Sequence, residues 1–261
     1  WFENGVGVYD DHLTEGQRAR YRHCNLHEPA EEQIFLEQIR SLPQQAVYLN
    51  IGCAVGYYLI LAYQHRPDLQ LHAVEPLADH QQFWRENQTL NRIPSEAVTL
   101  LPFAISDTNG TARFLKKDYG SVLLPPEKSN QTSSRITRFF KRWMPVFSNR
   151  TPLDGQSETT PTRNVTTVPT KTIDELVAQL GGSVDFLQMD IQGLEVAALK
   201  GGSHSLESHS IHRVLIGTHS ETIHQECESL LQRFGYRLSY SEHVVSGQPD
   251  GMILAVANSV Q

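Results

Sequence analysis

Gly52 and Gly56 stand four residues apart in "VYLNIGCAVGYYLILAYQ", between a short apolar run and a helix-like one. "VYLNI" is rich in strand formers and shows little alternation, the pattern of a buried strand. Strand, glycine turn and helix in that order build a ligand loop in an open α/β sheet. Glycine lets the backbone approach a ligand where a side chain would clash. Glu75 closes the next strand-like run, "LHAVEP", about where an acid would meet both hydroxyls of a ribose. The competing reading of Glu75 is a surface carboxylate before a proline turn. Its place one strand after the glycine loop favours the ribose role.

The spacing bears on which adenosine cofactor is meant. A dinucleotide fold prefers G-x-G-x-x-G, whose helix N-terminus holds a pyrophosphate. Here Ala54 stands where a middle glycine would be. The loop suits a ligand without a pyrophosphate, and S-adenosylmethionine is the obvious candidate. "THSETIHQE" invites a metal reading through His219, Glu221 and His224, but the two histidines are five apart and no H-E-x-x-H is present. No metal ligand is therefore assigned. A divalent ion shared by Asp190 and His219 is conceivable without support from spacing.

These residues need a scaffold, and the 261-residue chain alternates strand-like and helix-like runs after position 45. Strands are expected at "AVYLNI", "LHAVEP", "AVTLLPFAI", "VDFLQMD", "HRVLIGTH" and "MILAVAN", with "TARFLKK" as a short further one. Helices are expected from Tyr57, over 78–91, through "LEVAALKG" and through "QECESLLQRFGY". Such alternation implies a doubly wound, mostly parallel sheet with helices on both faces. Residues 1–45 read as an N-terminal helical extension packing on the core, and 46–261 as the main domain. An insertion or lid at about 118–170 is rich in Pro, Ser, Thr and Asn. Within it "SSRITRFFKRWMPVF" sets Ile136, Phe139, Phe140 and Trp143 at helical spacing among basic residues. A lid helix, a weak membrane-surface contact through 135–143 and an anionic-ligand contact compete for it.

The net charge of −7 argues against a general nucleic-acid binder. No apolar run approaches a bilayer span, and no signal peptide is visible. Cys24, Cys53 and Cys227 form no C-x-x-C pair and read as reduced thiols, so the expected location is cytoplasmic.

The segments "VYLNIGCAVGYY", "LHAVEPLADHQQFWRENQTLN", "FAISDTNGTARF", "TKTIDEL", "VDFLQMDIQGLEVAALKGG" and "VLIGTHSETI" together resemble the FkbM-type family of S-adenosylmethionine-dependent methyltransferases, in residue types, spacing and order. The resemblance covers roughly 46–120 and 168–240. It implies the class I methyltransferase fold, Rossmann-like, with a seven-stranded sheet whose last strand is antiparallel. It also implies O-methylation of hydroxyls on sugars and natural products. By position it assigns Asn50, Gly52, Cys53, Gly56, Glu75, Phe103, Ala104 and Ile105 to the cofactor, and Asp190 to the end of the fourth strand beside the transferable methyl. His219 matches a polar position ending the fifth strand. The family usually has Asp at position 50 and commonly Glu at 192, where this chain has Asn50 and Gln192.

The expectation is an S-adenosylmethionine-dependent O-methyltransferase, releasing S-adenosylhomocysteine, with a small-molecule or glycan acceptor bearing a free hydroxyl. Asp190 and His219 are the catalytic candidates. His219 would be the base, its pKa near neutrality, against the plainer reading of a hydrogen-bonded histidine at a strand end. Asp190 could orient the hydroxyl or serve as base. Glu28, Tyr119 and Ser121 are placed near the cleft by loop position only. The rival readings are a cofactor-binding scaffold with weak or no catalysis, motivated by Asn50 and Gln192, a nicotinamide-dependent oxidoreductase, and a membrane-surface partner.

Overall fold

A computed structural model of the chain describes residues 1–115, 122–124, 165–246, 248 and 250–258. The chain divides into two units, 1–110 with 168–261, and 111–167. In the first unit, helix α1 (Glu15–Tyr21) starts at a capping box between Thr14 and Gln17, and α2 (Pro29–Ser41) carries Pro29 in its first turn. Then follow β1 (Val47–Ile51), α3 (Tyr57–His65), β2 (Gln70–Val74), α4 (Ala78–Leu90), β3 (Val98–Leu101) and β4 (Ala104–Ile105). The second unit includes, among the described residues, the antiparallel strands β5 (Gly110–Leu115, from Thr111) and β6 (Val122–Leu124), with Arg113 opposite Leu124, and the first residues of β7 (Val165–Lys171). After β7 come α5 (Ile173–Gln179), β8 (Phe186–Met189), α6 (Glu195–Gly201), α7 (Ser203–Glu207), β9 (Arg213–Thr218), α8 (Glu221–Arg233), β10 (Tyr236–Glu242) and β11 (Gly251–Ala257).

The main sheet has the order β10-β11-β9-β8-β1-β2-β3. Its strands are parallel except β11, which runs antiparallel to both β9 and β10. This is the seven-stranded, mostly parallel α/β architecture expected from the sequence, with the last strand reversed. The central strands are buried on both faces, from Tyr48 to Ile51 and from Phe186 to Met189, which is why they read as continuous apolar runs. Tyr48 stacks on Phe186 at 5.5 Å between centroids, and Phe35 of α2 packs edge-on to Tyr48 at 5.6 Å. Strand order reverses between β1 and β8, which puts the ligand crevice of such a sheet at their C-terminal ends.

Two local expectations change. "AVTLLPFAI" is not one strand, because Pro102 has no N–H to continue a ladder. β3 stays on the main sheet, and β4 turns away to pair with β7, Ala104 opposite Thr170. The sequence reading also missed β10, a strand whose polar residues alternate with only partly buried ones. The basic apolar stretch 135–143, with Tyr119, Ser121 and most of the segment read as an insertion, lies outside the described residues. Among the described residues, no helix is long and apolar enough to cross a membrane.

The loop after β1 depends on both of its glycines. Gly52 has φ +87° and Gly56 φ +82°. A Cβ on Gly52 would stand 2.1 Å from the Asp190 carbonyl oxygen, and one on Gly56 would stand 2.0 Å from Cε3 of Trp84. Left-handed backbone and overpacking each cost roughly 1–3 kcal/mol. Gly56→Ala is therefore expected to lose at least about 2 kcal/mol in chemical denaturation. An unchanged midpoint would mean that Trp84 can move aside and that the loop is not held as described.

Candidate active site

Of the residues singled out in the sequence, Gly52, Glu75, Asp190 and His219 follow the C-terminal ends of strands of the main sheet. The Gly52 and Cys53 N–H groups both donate to the Val74 carbonyl of β2, at 2.9 and 3.3 Å, which folds the glycine loop over the strand end. Glu75 is buried there. Its Oε2 accepts from Ala54 N–H at 3.1 Å, and its Oε1 accepts from Leu77 N–H at 2.9 Å and lies 3.4 Å from His80 Nδ1. Glu75 thus supports the loop, whose Ala54 sits at φ +46°. A carboxylate offers about four lone-pair directions, so capacity for a ligand hydroxyl is left. Cys53 is buried and its thiol pKa is raised by burial, which makes it a packing group and not a nucleophile. Phe103, Ala104 and Ile105 are buried where the chain leaves β3, with Lys171 Nζ 5.3 Å from the Phe103 ring centre.

Asn50 is engaged sideways. Its Nδ2 donates to Gln188 Oε1 on β8 at 3.3 Å, and the Tyr48 hydroxyl donates to the same oxygen at 2.5 Å. Gln188 Nε2 donates in turn to Glu31 Oε1 of α2 at 2.7 Å. Through Gln188, a buried carboxylate of α2 is thus tied to the strand pair beside Asn50. Glu28 precedes the same helix, buried, and its Oε2 accepts from the Tyr58 hydroxyl at 3.4 Å. Both acids have pKa values raised, by burial first and by neighbouring acids, among them Asp190 and Asp250.

Asp190 follows β8 and His219 follows β9, and the structure brings them together. His219 Nε2 lies 3.2 Å from Asp190 Oδ1 and 3.5 Å from Asp250 Oδ1, while Nδ1 lies 3.0 Å from Glu195 Oε1. Glu195 is fully buried, and its Oε1 also accepts from the N–H groups of Ile191 (3.3 Å) and Gly193 (3.1 Å). Burial alone would lower the His219 pKa, but the carboxylates of Asp190 and Glu195 outweigh it and push it up to about 11. The near-neutral pKa expected of this residue is thus corrected: facing three acids, its ring holds its proton and is a poor base. Burial opposes ionisation of Asp190, yet contact with His219 keeps its carboxyl below the usual range. Asp250 is pushed up to about 6, by burial and then by Asp190.

Sequence reasoning missed Asp250 and Glu195. Asp250 directly precedes β11, and strand polarity alone brings it to the site: β11 is antiparallel, so its start, Gly251, pairs with Thr218 at the end of β9. Glu195 reads in the sequence as an ordinary acid in the first turn of a helix. His224 of "THSETIHQE" points elsewhere, with Nδ1 2.8 Å from the Thr218 hydroxyl and Nε2 2.9 Å from the Ser241 hydroxyl, and Glu221 is exposed. Gln192 is also exposed, at φ +55°, its Nε2 3.4 Å from Asp190 Oδ1.

The residues fit an adenosine-bearing sulfonium cofactor in their order along the sheet. Bare backbone follows β1, an acid follows β2 and an apolar wall follows β3. The family model for the methyltransferase FkbM domain matches residues 50–238, so this chain belongs to that family. Among solved structures it is similar to methyltransferase FkbM from Methylobacillus flagellatus, at 13% identity and a TM-score of 0.51, over 95% of this chain and 56% of that one. The chain thus spans a little over half of that protein's length. It is also similar to magnesium protoporphyrin IX methyltransferase from Synechocystis PCC 6803, solved with bound SAM, at 11% identity and a TM-score of 0.53, over 98% of this chain and 90% of that one. At these identities the likeness shows a shared fold. No curated protein matches the chain.

The His219 environment sets a pH dependence with a definite sign. Its folded pKa of about 11 lies above the ordinary 6.5, so the contribution to stability is complete below pH 6.5 and is lost as pH climbs towards 11. In metal-free protein the His219 ring resonances are expected not to titrate between about pH 5 and 9, and Glu195→Gln is expected to bring their titration down towards that window. A wild-type midpoint near 6.5 by NMR would show that the carboxylates do not hold the proton.

Proposed function

We propose that this chain is an S-adenosylmethionine-dependent O-methyltransferase acting on a hydroxyl of a sugar-containing or other polyhydroxylated metabolite. The observation that carries this reading is the contact between the loop and the polar cluster. A Cβ on Gly52 would strike the carbonyl of Asp190, so the glycine loop and the Asp190–His219–Asp250 group adjoin back to back at the strand-order switch. Bound there, S-adenosylmethionine supplies an electrophilic methyl group. The protein supplies position and charge. Gly52 and Gly56 let the loop pass close to the ligand, Glu75 meets the ribose, and Phe103 to Ile105 flank the adenine. Asp190 and Asp250 hold the acceptor hydroxyl and Asp250, the more basic of the two, takes up its proton, while His219 keeps both carboxylates oriented. Holding the acceptor in line can itself supply much of an enzyme's acceleration.

A second reading, a cofactor-binding scaffold with little turnover, is favoured by Asn50, a neutral amide already bound to Gln188. The reading also takes the acceptor as a small molecule or glycan, not a nucleic acid, given the net charge of −7. Three free cysteines suit a reducing, cytoplasmic setting.

Calorimetric titration with S-adenosylmethionine and S-adenosylhomocysteine, with NAD as control, separates these readings from an oxidoreductase. Glu75→Ala is expected to weaken binding of S-adenosylmethionine at least about tenfold, one hydrogen-bonded charge being worth roughly 1.5–3 kcal/mol. Unchanged affinity would remove Glu75 from the ribose site. His219→Ala is expected to cost about a hundredfold in kcat with cofactor affinity kept, because Asp190 and Asp250 lose the ring that orients them. Binding without methyl transfer to any hydroxylated acceptor would give the scaffold reading the lead, and a methylated nitrogen or carbon in the product would overturn O-transfer.

A further inference from the structure

Three side chains of metal-ligand type meet at one point. Asp190 and Asp250 each offer a carboxylate oxygen and His219 a ring nitrogen, and these atoms all lie within 4.8 Å of one another. The two separations from His219 Nε2 are 3.2 and 3.5 Å. First-row ions bind nitrogen and oxygen at about 2.0–2.2 Å, so ligands sharing one ion stand roughly 3–3.5 Å apart. The spacing needs little adjustment to close on an ion.

His219 supplies the second observation. Its Nε2 is buried and has no hydrogen-bond partner, although two carboxylate oxygens face it. The ring cannot turn to find one, because Nδ1 is held by Glu195, which is itself fixed by the Ile191 and Gly193 N–H groups. A carboxylate behind an imidazole is the usual support of a metal-bound histidine, since it sets the tautomer that aims the lone pair forward. Two of the three donors follow the ends of the adjacent parallel strands β8 and β9, and the third precedes the antiparallel strand between β9 and β10.

We propose that Asp190, His219 and Asp250 bind one divalent cation, with Glu195 holding His219 from behind. One imidazole and two carboxylates suit Mn²⁺, Co²⁺ or Zn²⁺ better than Ca²⁺, which prefers an all-oxygen shell. The two aspartates balance the ion's charge, and three protein ligands leave coordination positions for water or a ligand oxygen. The inference does not rest on methyl transfer, because occupancy is read directly.

The test uses the whole chain, stripped with EDTA and titrated with Mn²⁺ alone, following loss of the free-ion EPR signal. One saturable Mn²⁺ per chain is expected, with nitrogen coupling from a histidine in the pulsed EPR spectrum. Asp250→Asn and His219→Gln are expected to weaken binding at least tenfold, and Glu195→Gln about tenfold. His224→Gln, whose ring bonds to Thr218 and Ser241, is expected to leave binding unchanged. No saturable binding by the wild-type chain, or a bound ion without nitrogen coupling, would overturn the proposal even if a variant failed to fold. Equal binding by folded Asp250→Asn would remove that residue from the site and with it the three-ligand arrangement.

Discussion

Backbone meets backbone between the loop after β1 and the turn after β8, and the rest of the site is arranged around that contact. The absent Cβ of Gly52 leaves the space that the Asp190 carbonyl occupies. A larger residue would part β1 from β8 at the point where strand order reverses. The same closeness fixes where Asp190 stands relative to the loop, so a ligand lying along the glycines has a carboxylate at one end. Trp84 closes the other side of the loop against Gly56, and Glu75 ties its middle down through Ala54. A loop held at three points and carrying left-handed backbone at Ala54 is strained in the manner of ligand clamps.

Glu195 does for the polar cluster what Gly52 does for the loop. It is fully buried, yet one of its oxygens serves two backbone N–H groups of the turn and the His219 ring. That arrangement converts one helix residue into a brace between the ends of β8 and β9. Its other oxygen, Oε2, is buried without a partner. A single substitution at Glu195 would therefore loosen the turn, release the ring and alter the charge at the site together.

The fold was legible because its signals are local. Buried parallel strands are continuous apolar runs, and the glycine loop announces itself by spacing. What escaped was either interrupted or weakly patterned. Pro102 broke a run that looked unbroken, and β10 hides its strand character under polar residues on a half-buried face. The positions of Gly52, Glu75, Asp190 and His219 at strand ends were legible, since each directly follows an apolar run, and that of Gly56 from its spacing. Asp250 was not, because it precedes its strand, and only the antiparallel direction of β11 carries it to the same edge as the others. The ionisation of His219 was also beyond reach, since its pKa depends on which acids face the ring and not on its neighbours in sequence.

The acids of α2 extend the argument from the cluster to the whole cleft. Glu28 and Glu31 are buried, and Asp190 and Asp250 are among the charges that raise their pKa values. Burying acids near one another costs folding free energy, and the raised pKa values of Glu28 and Glu31 express that cost. Such a cost is retained where a ligand can offset it. On the methyl-transfer reading, the ligand is a sulfonium cation before the reaction and a neutral thioether after it. An ionised carboxylate favours the first over the second. On that reading Asp190, which contact with His219 keeps ionised, attracts the cofactor and loses that attraction when the spent product forms.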